Sequence, residues 1–316
     1  MKVLITSVGT TTAVNLIKFM KEKTDFIVIG TDINSYGFTA GSLMCDKFYQ
    51  VPYAIDKDYM LVIGRIISDE KVDTFIPIND VEIEIAARYK HLYLEKITCL
   101  IPNIDIINIV RDKYLCNKVA VDLSLSVAEH CIPEEKTKKI CRDKTGVGSK
   151  GIRIFGLDEI VSPYDPDTQI IQRLIQGKEY TVDCLCDQCG NPIYIIPRQR
   201  IEVKSGVATK VKIVRNEKLI LDSFKLLSYL KIPGFSNIQF IEDDKDRRWF
   251  IEVNPRFSGC GSATALACDR YLPTFFEIVE NTHVNGSGRL QDVNLGPIKW
   301  NSIVTRYYEE LIWSPD

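Results

Sequence analysis

Two apolar, β-rich runs near the C-terminal end, residues 237–241 and 249–256, are separated only by the charged segment 243–248. Two strand-forming runs joined by so short a polar segment predict an antiparallel β-hairpin. If the hairpin folds symmetrically about the bond between Lys245 and Asp246, Gln239 lies opposite Glu252. This pairing constrains the fold because it places both runs in one sheet and gives that sheet a polar face.

The polar face of the hairpin predicts a cation site. Side chains alternate along a strand, so Asn254 shares the face of Gln239 and Glu252, with Arg256 at its edge. Hard cations such as Mg²⁺ take oxygen ligands of this kind, usually a few from the protein and the rest from water and substrate phosphates. We therefore expect a magnesium–nucleotide site at this hairpin.

Residues 1 to about 110 alternate strand-forming and helix-forming patterns. Strands are predicted at 2–6, 26–32, 47–51, 74–78 and 98–102, and helices at 11–23, 59–70 and 82–89. Such alternation predicts an α/β fold with a doubly wound parallel sheet. Polar residues follow two of the strands, at 6–9 and 79–80, and ligands usually bind at the carboxyl ends of such strands.

The pattern changes after Val110 and predicts an α+β module. Helices are expected at 111–123, 217–230 and 263–280, and a short helix or an extended connector at 168–175. Residues 139–142 form a predicted strand, residues 179–214 are β-rich with a turn at 187–190, and a last strand is expected near 303–307.

Composition limits the class of protein. The chain has 316 residues, a net charge of −2, 45% hydrophobic and 26% charged residues, which is ordinary for a globular protein of one or two domains. The charge predicts no nucleic acid partner and no binding to an acidic membrane surface, and no apolar run reaches transmembrane length. The first residues lead directly into a strand, and ten scattered cysteines suit a reducing compartment, so we expect no signal peptide and a cytoplasmic location.

A glycine-rich loop follows the predicted strand at 139–142. Its backbone N–H groups could fold over a triphosphate, because glycines allow close approach and successive amides form an anion nest. An ordinary hairpin turn explains the same sequence, which lacks the Gly-Lys-Ser/Thr of a P-loop. The candidate flap residues are Gly146, Gly148, Ser149, Lys150 and Gly151.

Three further groups of residues each have two interpretations. Glu179 opens a predicted strand, where it could accept the hydroxyls of a ribose or simply lie exposed. Arg198 and Arg200 share one strand face and suit phosphate, or form a solvated face. A Cys-x-Cys-x-x-Cys cluster could bind zinc, but without a visible fourth ligand we expect buried apolar side chains: Cys184, Cys186 and Cys189.

Glycine flap, glutamate, paired arginines and oxygen-rich hairpin follow one another over about 110 residues. In this order the chain resembles the ATP-grasp superfamily, most closely its carbamoyl-phosphate synthase large-chain-like branch. The resemblance implies a Rossmann-like pre-ATP-grasp domain at 1–109, a small flap subdomain at 110–176 and a large subdomain at 177–316, with the nucleotide between the two subdomains. It also implies that Gln239, Glu252 and Asn254 hold Mg²⁺, which Mn²⁺ can replace, and that Arg256 contacts phosphate.

The resemblance extends to further residues. Arg142 stands where most members carry a phosphate-binding lysine, and Lys113 lies in the segment that begins the ATP-grasp part. Arg173 stands where a glutamate commonly binds ribose, which leaves Glu179 for that role, while Arg200 would bind the nucleotide. Cys260 interrupts a Gly-Gly pair that faces the second substrate, so specificity is expected to differ.

The resemblance implies a ligase that uses Mg–ATP to join a carboxylate to an amine through an acyl phosphate. Small-molecule carboxylates and amines would be its partners, and a homodimer is compatible with it. A kinase-type enzyme that phosphorylates carbamate or another carboxylate without ligation would share every motif, as would a non-catalytic ATP-binding regulator. An NAD-dependent oxidoreductase is the alternative from another class, since Asp32 ends the second strand, although no glycine fingerprint follows the first.

Overall fold

A computed structural model of the protein describes residues 1–146, 151–204, 206–286, 295–307 and 309–314. The helices are α1 (Thr11–Lys23), α2 (Ala40–Met44), α3 (Tyr59–Glu70), α4 (Asp80–Arg88), α5 (Lys90–Tyr93), α6 (Ile104–Arg111), α7 (Lys113–Asp122), α8 (Glu217–Leu230), α9 (Gly261–Ala267) and α10 (Tyr271–Asn285). The strands are β1 (Lys2–Ile5), β2 (Ile27–Asp32), β3 (Lys47–Gln50), β4 (Thr74–Ile76), β5 (Ser126–Val127), β6 (Lys139–Asp143), β7 (Arg153–Phe155), β8 (Gln169–Arg173), β9 (Lys178–Cys186), β10 (Pro192–Lys204), β11 (Val207–Ile213), β12 (Gly234–Glu242), β13 (Arg248–Asn254) and β14 (Ile303–Thr305).

The first sheet is parallel, with the order β3-β2-β1-β4. The strand order reverses beside β1, so β1 and β4 flank the switch point where open α/β sheets bind ligands. Their tips are joined by Glu82, whose carboxylate accepts hydrogen bonds from Thr6 Oγ1 at 2.5 Å and Ser7 Oγ at 2.9 Å. Asn79 caps α4 and completes a capping box with the same glutamate. The predicted doubly wound sheet is confirmed.

Helix α1 illustrates why the sequence folds this way. Thr10 caps its N-terminus, and Ala13, Leu16, Ile17 and Met20 recur at helical spacing and are fully buried in the core beside the first sheet. The predicted bounds of α1, α3 and α8 agree with the structure residue for residue. None of the described helices combines the length and apolar character that crossing a membrane requires.

The second sheet has the order β14-β11-β10-β9-β12-β13-β5 and is antiparallel except for the β13–β5 pair. The predicted hairpin is β12–β13, and Gln239 lies opposite Glu252 as expected. Next to the turn, however, Phe240 pairs with Phe250, so the register changes by one residue there. A β-bulge between the two pairs reconciles them.

A third, smaller sheet has the order β7-β6-β8 and carries the segment before the glycine-rich loop. The segment predicted as a helix or connector at 168–175 is therefore strand β8, an extended element. One side of the small sheet faces the second sheet, and the two together hold the side chains described below.

Three sequence-based expectations were wrong in part, and one helix was missed. Residues 98–102 form only one isolated bridge, between Thr98 and Thr74, rather than a strand. The helix expected at 263–280 is divided into α9 and α10, and α6 was not predicted. Cys184 and Cys186 are fully buried as expected, but Cys189 is exposed.

Candidate active site

A cavity of about 180 Å³ lies between the β12–β13 hairpin, the small sheet and the start of α7. Three kinds of side chain matter for its chemistry: oxygen-bearing side chains on the hairpin, cationic side chains from five places in the chain, and the acid that begins α4. The residues that matter for its chemistry are Asp80, Arg111, Lys113, Arg142, Arg200, Gln239, Glu252, Asn254 and Arg256.

The oxygen donors of the hairpin share one face and line the cavity together. Asn254 Nδ2 donates to Glu252 Oε1 at 3.1 Å and to Asn237 Oδ1 at 3.3 Å, which leaves the amide oxygen of Asn254 directed elsewhere. Gln239 Oε1 accepts from Arg200 at 3.5 Å, a long contact. On the opposite face, Phe240 and Phe250 pack in the core and keep the strands in this orientation.

Two cations face this oxygen group. Lys113 Nζ lies 3.8 Å from Glu252 Oε2 and donates to the carbonyl of Gly146 at 2.8 Å. Burial lowers the pKa of Lys113, and the charge of Glu252 opposes that shift. Capping of α7 by Asp112, whose carboxylate accepts from the N–H groups of Tyr114 and Leu115, holds Lys113 at the first turn of the helix.

Arg142 is the second of these cations. It forms no ion pair with a carboxylate in the described part of the chain, and Glu252 is the carboxylate whose charge reaches it. It is 8% exposed, and Nη2 donates to Gln172 Oε1 at 2.8 Å, while buried Nε has no hydrogen-bond partner in the described part of the chain. Burial lowers the pKa of Arg142, and the charge of Glu252 opposes the shift. A buried cation without an ion-pair partner is costly, which marks a place for an anion.

Arg256 connects the hairpin to the first sheet. Its Nε donates to Asp80 Oδ1 at 2.8 Å across 176 positions of the chain. Burial acts to lower the pKa of Arg256, but the charge and hydrogen bond of Asp80 outweigh it and raise the pKa. The guanidinium is therefore held in one orientation at the edge of the cavity.

The two arginines of β10 differ from each other. Arg200 pairs with Glu179 at 3.1 Å, and Glu179 remains half exposed. Arg198 is 2% exposed, and its Nε and Nη2 donate to both carboxylate oxygens of Asp183 at 2.8 and 3.3 Å. Its Nη2 also donates to Ser258 Oγ at 2.6 Å. An internal carboxylate thus neutralises Arg198, which also lines the second cavity described below, and its assignment to phosphate stays a prediction.

The glycine-rich loop is described at its two ends. Gly146 lines the cavity, and Gly151 has a φ of +77° and lies so close to Asp143 that a Cβ would come within 2.7 Å of the carboxylate. The predicted flap residues Gly148, Ser149 and Lys150 lie outside the described residues.

Two residues were not assigned from the sequence. Asp80 was noted only as part of a polar strand tip, and Arg111 only as part of a motif before Lys113. Arg111 pairs with Glu84 at 3.0 Å, and its buried Nη1 has no partner among the described residues. Asp80 follows a strand end and Arg111 lies shortly before Lys113, and both positions hinted at a role in the site. Only the fold, however, places these two residues beside the hairpin.

A second cavity of about 290 Å³ adjoins the first and shares Asp80, Arg200, Gln239 and Arg256 with it. It lies between the N-terminus of α1, the tip of β4 and the loop 258–260. It therefore opens at the switch point of the first sheet, next to the oxygen donors of the hairpin.

Comparison with family models finds two matches. Residues 165–282 match the family described as ATP-grasp in the biosynthetic pathway with Ter operon, and residues 3–101 match the PylC-like N-terminal domain. Comparison with curated proteins finds no match.

Solved structures share the architecture at low identity. The biotin carboxylase–β-γ-ATP complex of Campylobacter jejuni is 16% identical with a TM-score of 0.70, over 96% of this chain and 74% of that one. The N5-carboxyaminoimidazole synthetase of Staphylococcus aureus is 14% identical with a TM-score of 0.67, over 96% and 79%. The biotin carboxylase domain of Hydrogenobacter thermophilus 2-oxoglutarate carboxylase, in complex with MgADP, ADP and bicarbonate, is 16% identical with a TM-score of 0.68, over 85% and 66%. The matches agree with the order of motifs: the chain carries an ATP-grasp segment at 165–282 after a PylC-like N-terminal segment at 3–101, and it shares its fold with these solved structures.

Proposed function

We propose that the protein is an ATP-dependent ligase that joins a carboxylic acid to an amine through an acyl phosphate. One observation supports it most: Arg142 is buried, forms no ion pair among the described residues, and lines the same cavity as Lys113, Glu252 and Asn254. A triphosphate would supply the missing negative charge, and the hairpin oxygens would accept the cation that accompanies it.

The residues present fit Mg²⁺ in this arrangement. No cluster of three His, Cys, Asp or Glu exists among the described residues, so an all-protein cage for a metal is not found there. Glu252, Asn254 and Gln239 instead offer a few oxygens, as suits an ion that keeps phosphate and water ligands. When bound, Mg²⁺ would neutralise phosphate charge.

The proposed chemistry needs no nucleophilic side chain. A carboxylate oxygen of the substrate attacks the γ-phosphorus, the bond to the bridging oxygen breaks, and ADP leaves with that electron pair. An amine then attacks the acyl carbon, loses a proton and expels phosphate. Arg142, Lys113 and Arg256 stabilise the charge that spreads over the transferring group.

Arg198 takes a positioning role in this proposal rather than a phosphate-binding one. Its bonds to Asp183 and Ser258 tie β9 and β10 to the loop after Arg256. Glu179 stays the proposed ribose ligand, with Arg200 beside it.

The structure disfavours the oxidoreductase alternative. Gly9 N–H donates to Asp32 Oδ2 at 2.7 Å, and Asp32 Oδ1 accepts from the backbone N–H and the side chain of Asn34. The carboxylate and the loop amide that a dinucleotide would need already satisfy each other.

The test is ADP release by the full chain with Mg–ATP, a panel of carboxylic acids, and hydroxylamine as the amine. We expect one acid to give ADP and its hydroxamate in equal amounts, and Glu252→Ala to give neither while remaining folded. Arg215→Met is the control, because that arginine is exposed and its one ion pair within the described residues is with Glu217. Acyl phosphate that accumulates in the presence of natural amines would favour phosphorylation without ligation. ATP binding without ADP release in any mixture would favour a regulator.

A further inference from the structure

The N-terminus of α1 lies at the second cavity and takes no part in the chemistry proposed above. Thr10, Thr11 and Thr12 all line this cavity, and Thr10 caps the helix by accepting from Ala13 N–H at 3.2 Å. The backbone N–H groups of Thr11 and Thr12 make no hydrogen bond with any described residue. A helix terminus with free N–H groups carries about half a positive charge and attracts anions.

Two largely buried threonine side chains point to a ligand independently of the helix terminus. Thr12 is 8% exposed and Thr181, on β9, is 3% exposed, and both line the cavity. Neither hydroxyl has a hydrogen-bond partner within the described ranges of the chain. Thr12 Oγ1 faces the opposite wall, where a Cβ on Gly259 would lie 3.8 Å away. Neither oxygen is among the fully enclosed polar atoms of the described residues, so both hydroxyls are open to the cavity and free to bond a ligand there.

The charges of the cavity restrict the kind of ligand. The arginines that line it are each paired: Arg198 with Asp183, Arg200 with Glu179, and Arg256 with Asp80. The charge left at the α1 end is therefore that of the helix terminus, which suits a singly charged carboxylate better than a phosphate dianion.

An ammonium group finds no counter-charge in the same cavity. Among its described lining residues, Asp80 is the acidic one, and Arg256 already holds it. A volume of about 290 Å³ also limits the ligand to a small molecule.

We propose that this cavity binds a small dicarboxylic acid as the carboxylate substrate. One carboxylate would lie near Arg256 for phosphorylation. The other would accept hydrogen bonds from the N–H groups of Thr11 and Thr12 and from the hydroxyls of Thr12 and Thr181. This inference rests on the proposed ligase function and deepens it by naming the substrate class.

The experiment compares acids of matched size in the hydroxamate assay. Succinate, malate and glutarate are tested against butyrate and lactate, against phosphoglycolate, and against 4-aminobutyrate. We expect a dicarboxylate to be the best substrate by at least about tenfold in kcat/KM. Activity confined to a monocarboxylate, a phospho acid or an amino acid, and abolished by Glu252→Ala, would overturn the dicarboxylate proposal and leave the ligase proposal intact.

Variants of the two threonines test where the second carboxylate of the substrate binds. Thr12→Val and Thr181→Val should each raise KM for the dicarboxylate about tenfold, leave KM for ATP unchanged, and leave the melting temperature of the free protein close to that of the wild type. Thr31→Val is the matched control, because Thr31 on β2 is fully buried with an unpartnered hydroxyl but lies outside the cavity. Unchanged KM in both cavity variants would overturn the site.

A binding measurement separates the two proposals. Dicarboxylate should raise the melting temperature of the wild-type protein and of Thr31→Val, but not of Thr12→Val. That result without hydroxamate from any acid would support the carboxylate site and contradict the ligase function.

Discussion

Arg198 and Arg142 are both more than nine-tenths buried, and their charges are met in opposite ways. Arg198 lies on β10, and Asp183 on the neighbouring strand β9 accepts two of its hydrogen bonds. Thr264 Oγ1 donates to the same carboxylate. Arg142 lies in the small sheet, where a neutral amide, that of Gln172, is its described side-chain partner.

The difference separates the stable part of the molecule from the part prepared for a ligand. Removing one member of a buried ion pair strands the other charge, whereas removing a buried charge that has no partner relieves a cost. Sites that bind ligands often retain such unfavourable groups at the expense of stability. A buried arginine thus stabilises the fold in the second sheet, where it has a carboxylate partner, and destabilises it in the small sheet, where it has none among the described residues.

The largest expected effect is the loss of protein stability when the Arg198–Asp183 ion pair is broken. Arg198→Met should lower the free energy of unfolding by about 3–5 kcal/mol, because Asp183 would remain buried without a counter-charge. Denaturant unfolding at neutral pH measures this, with the exposed Arg215→Met as control. A loss below about 1 kcal/mol would mean that solvent reaches Asp183 and that the pair is not structural.

Arg142→Met should change the free energy of unfolding in the opposite direction. We expect its free energy of unfolding to be unchanged or higher, and the stabilisation by Mg–ATP to fall by at least about tenfold in apparent affinity, or about 1.4 kcal/mol. Thermal melts with and without Mg–ATP measure both quantities. If Arg142→Met destabilises the free protein as much as Arg198→Met, the contrast between the two arginines is broken.

Much of the architecture could be predicted from the sequence because it depends on local patterns. Helices α1, α3 and α8 have strong helical periodicity and clear ends, and the hairpin pairing of Gln239 with Glu252 follows from a short turn. The strand predicted at 98–102 is not formed. An apolar run indicates that a segment is buried, but it does not indicate that the segment pairs with a neighbouring strand.

The ion pair between Arg198 and Asp183 could not be predicted, because it depends on a β-bulge between β9 and β10. Counting back from the first pair of the β9–β10 hairpin, Cys186 with Pro192, would set Arg198 opposite Tyr180 and turn Asp183 to the other face. A register shift between Pro192 and Tyr194 moves Arg198 opposite Thr181 instead and brings Asp183 onto its face. No local sequence pattern marks that shift.

Arg256 sharpens the comparison, since its partner Asp80 is at the cavity edge rather than in the core. Arg256→Ala should lower kcat about 10²–10³-fold with a smaller change in KM for ATP, because the arginine is placed to act on charge that develops in the transition state. Steady-state ADP release measures it. A change confined to KM would assign Arg256 to ground-state binding.

Asp80 should act through Arg256. We expect Asp80→Asn to lower kcat about tenfold, since the amide keeps the shape but no longer fixes the guanidinium by charge. The double variant Asp80→Asn/Arg256→Ala should be no slower than Arg256→Ala alone. Additive losses would show that Asp80 has a separate role, such as direct contact with substrate.

The smallest expected effect is a pH dependence from Lys113. Burial lowers its pKa against the opposing charge of Glu252, so the free enzyme should lose this cation, and with it kcat/KM for ATP, at a lower pH than an ordinary lysine would allow. Bound nucleotide adds negative charge and should move the same limb to higher pH in kcat. Lys113→Arg keeps the charge throughout and should remove the alkaline limb from kcat/KM, even at reduced activity. If the limb persists in Lys113→Arg, another group titrates there, and Arg142 rather than Lys113 supplies the decisive positive charge for the triphosphate.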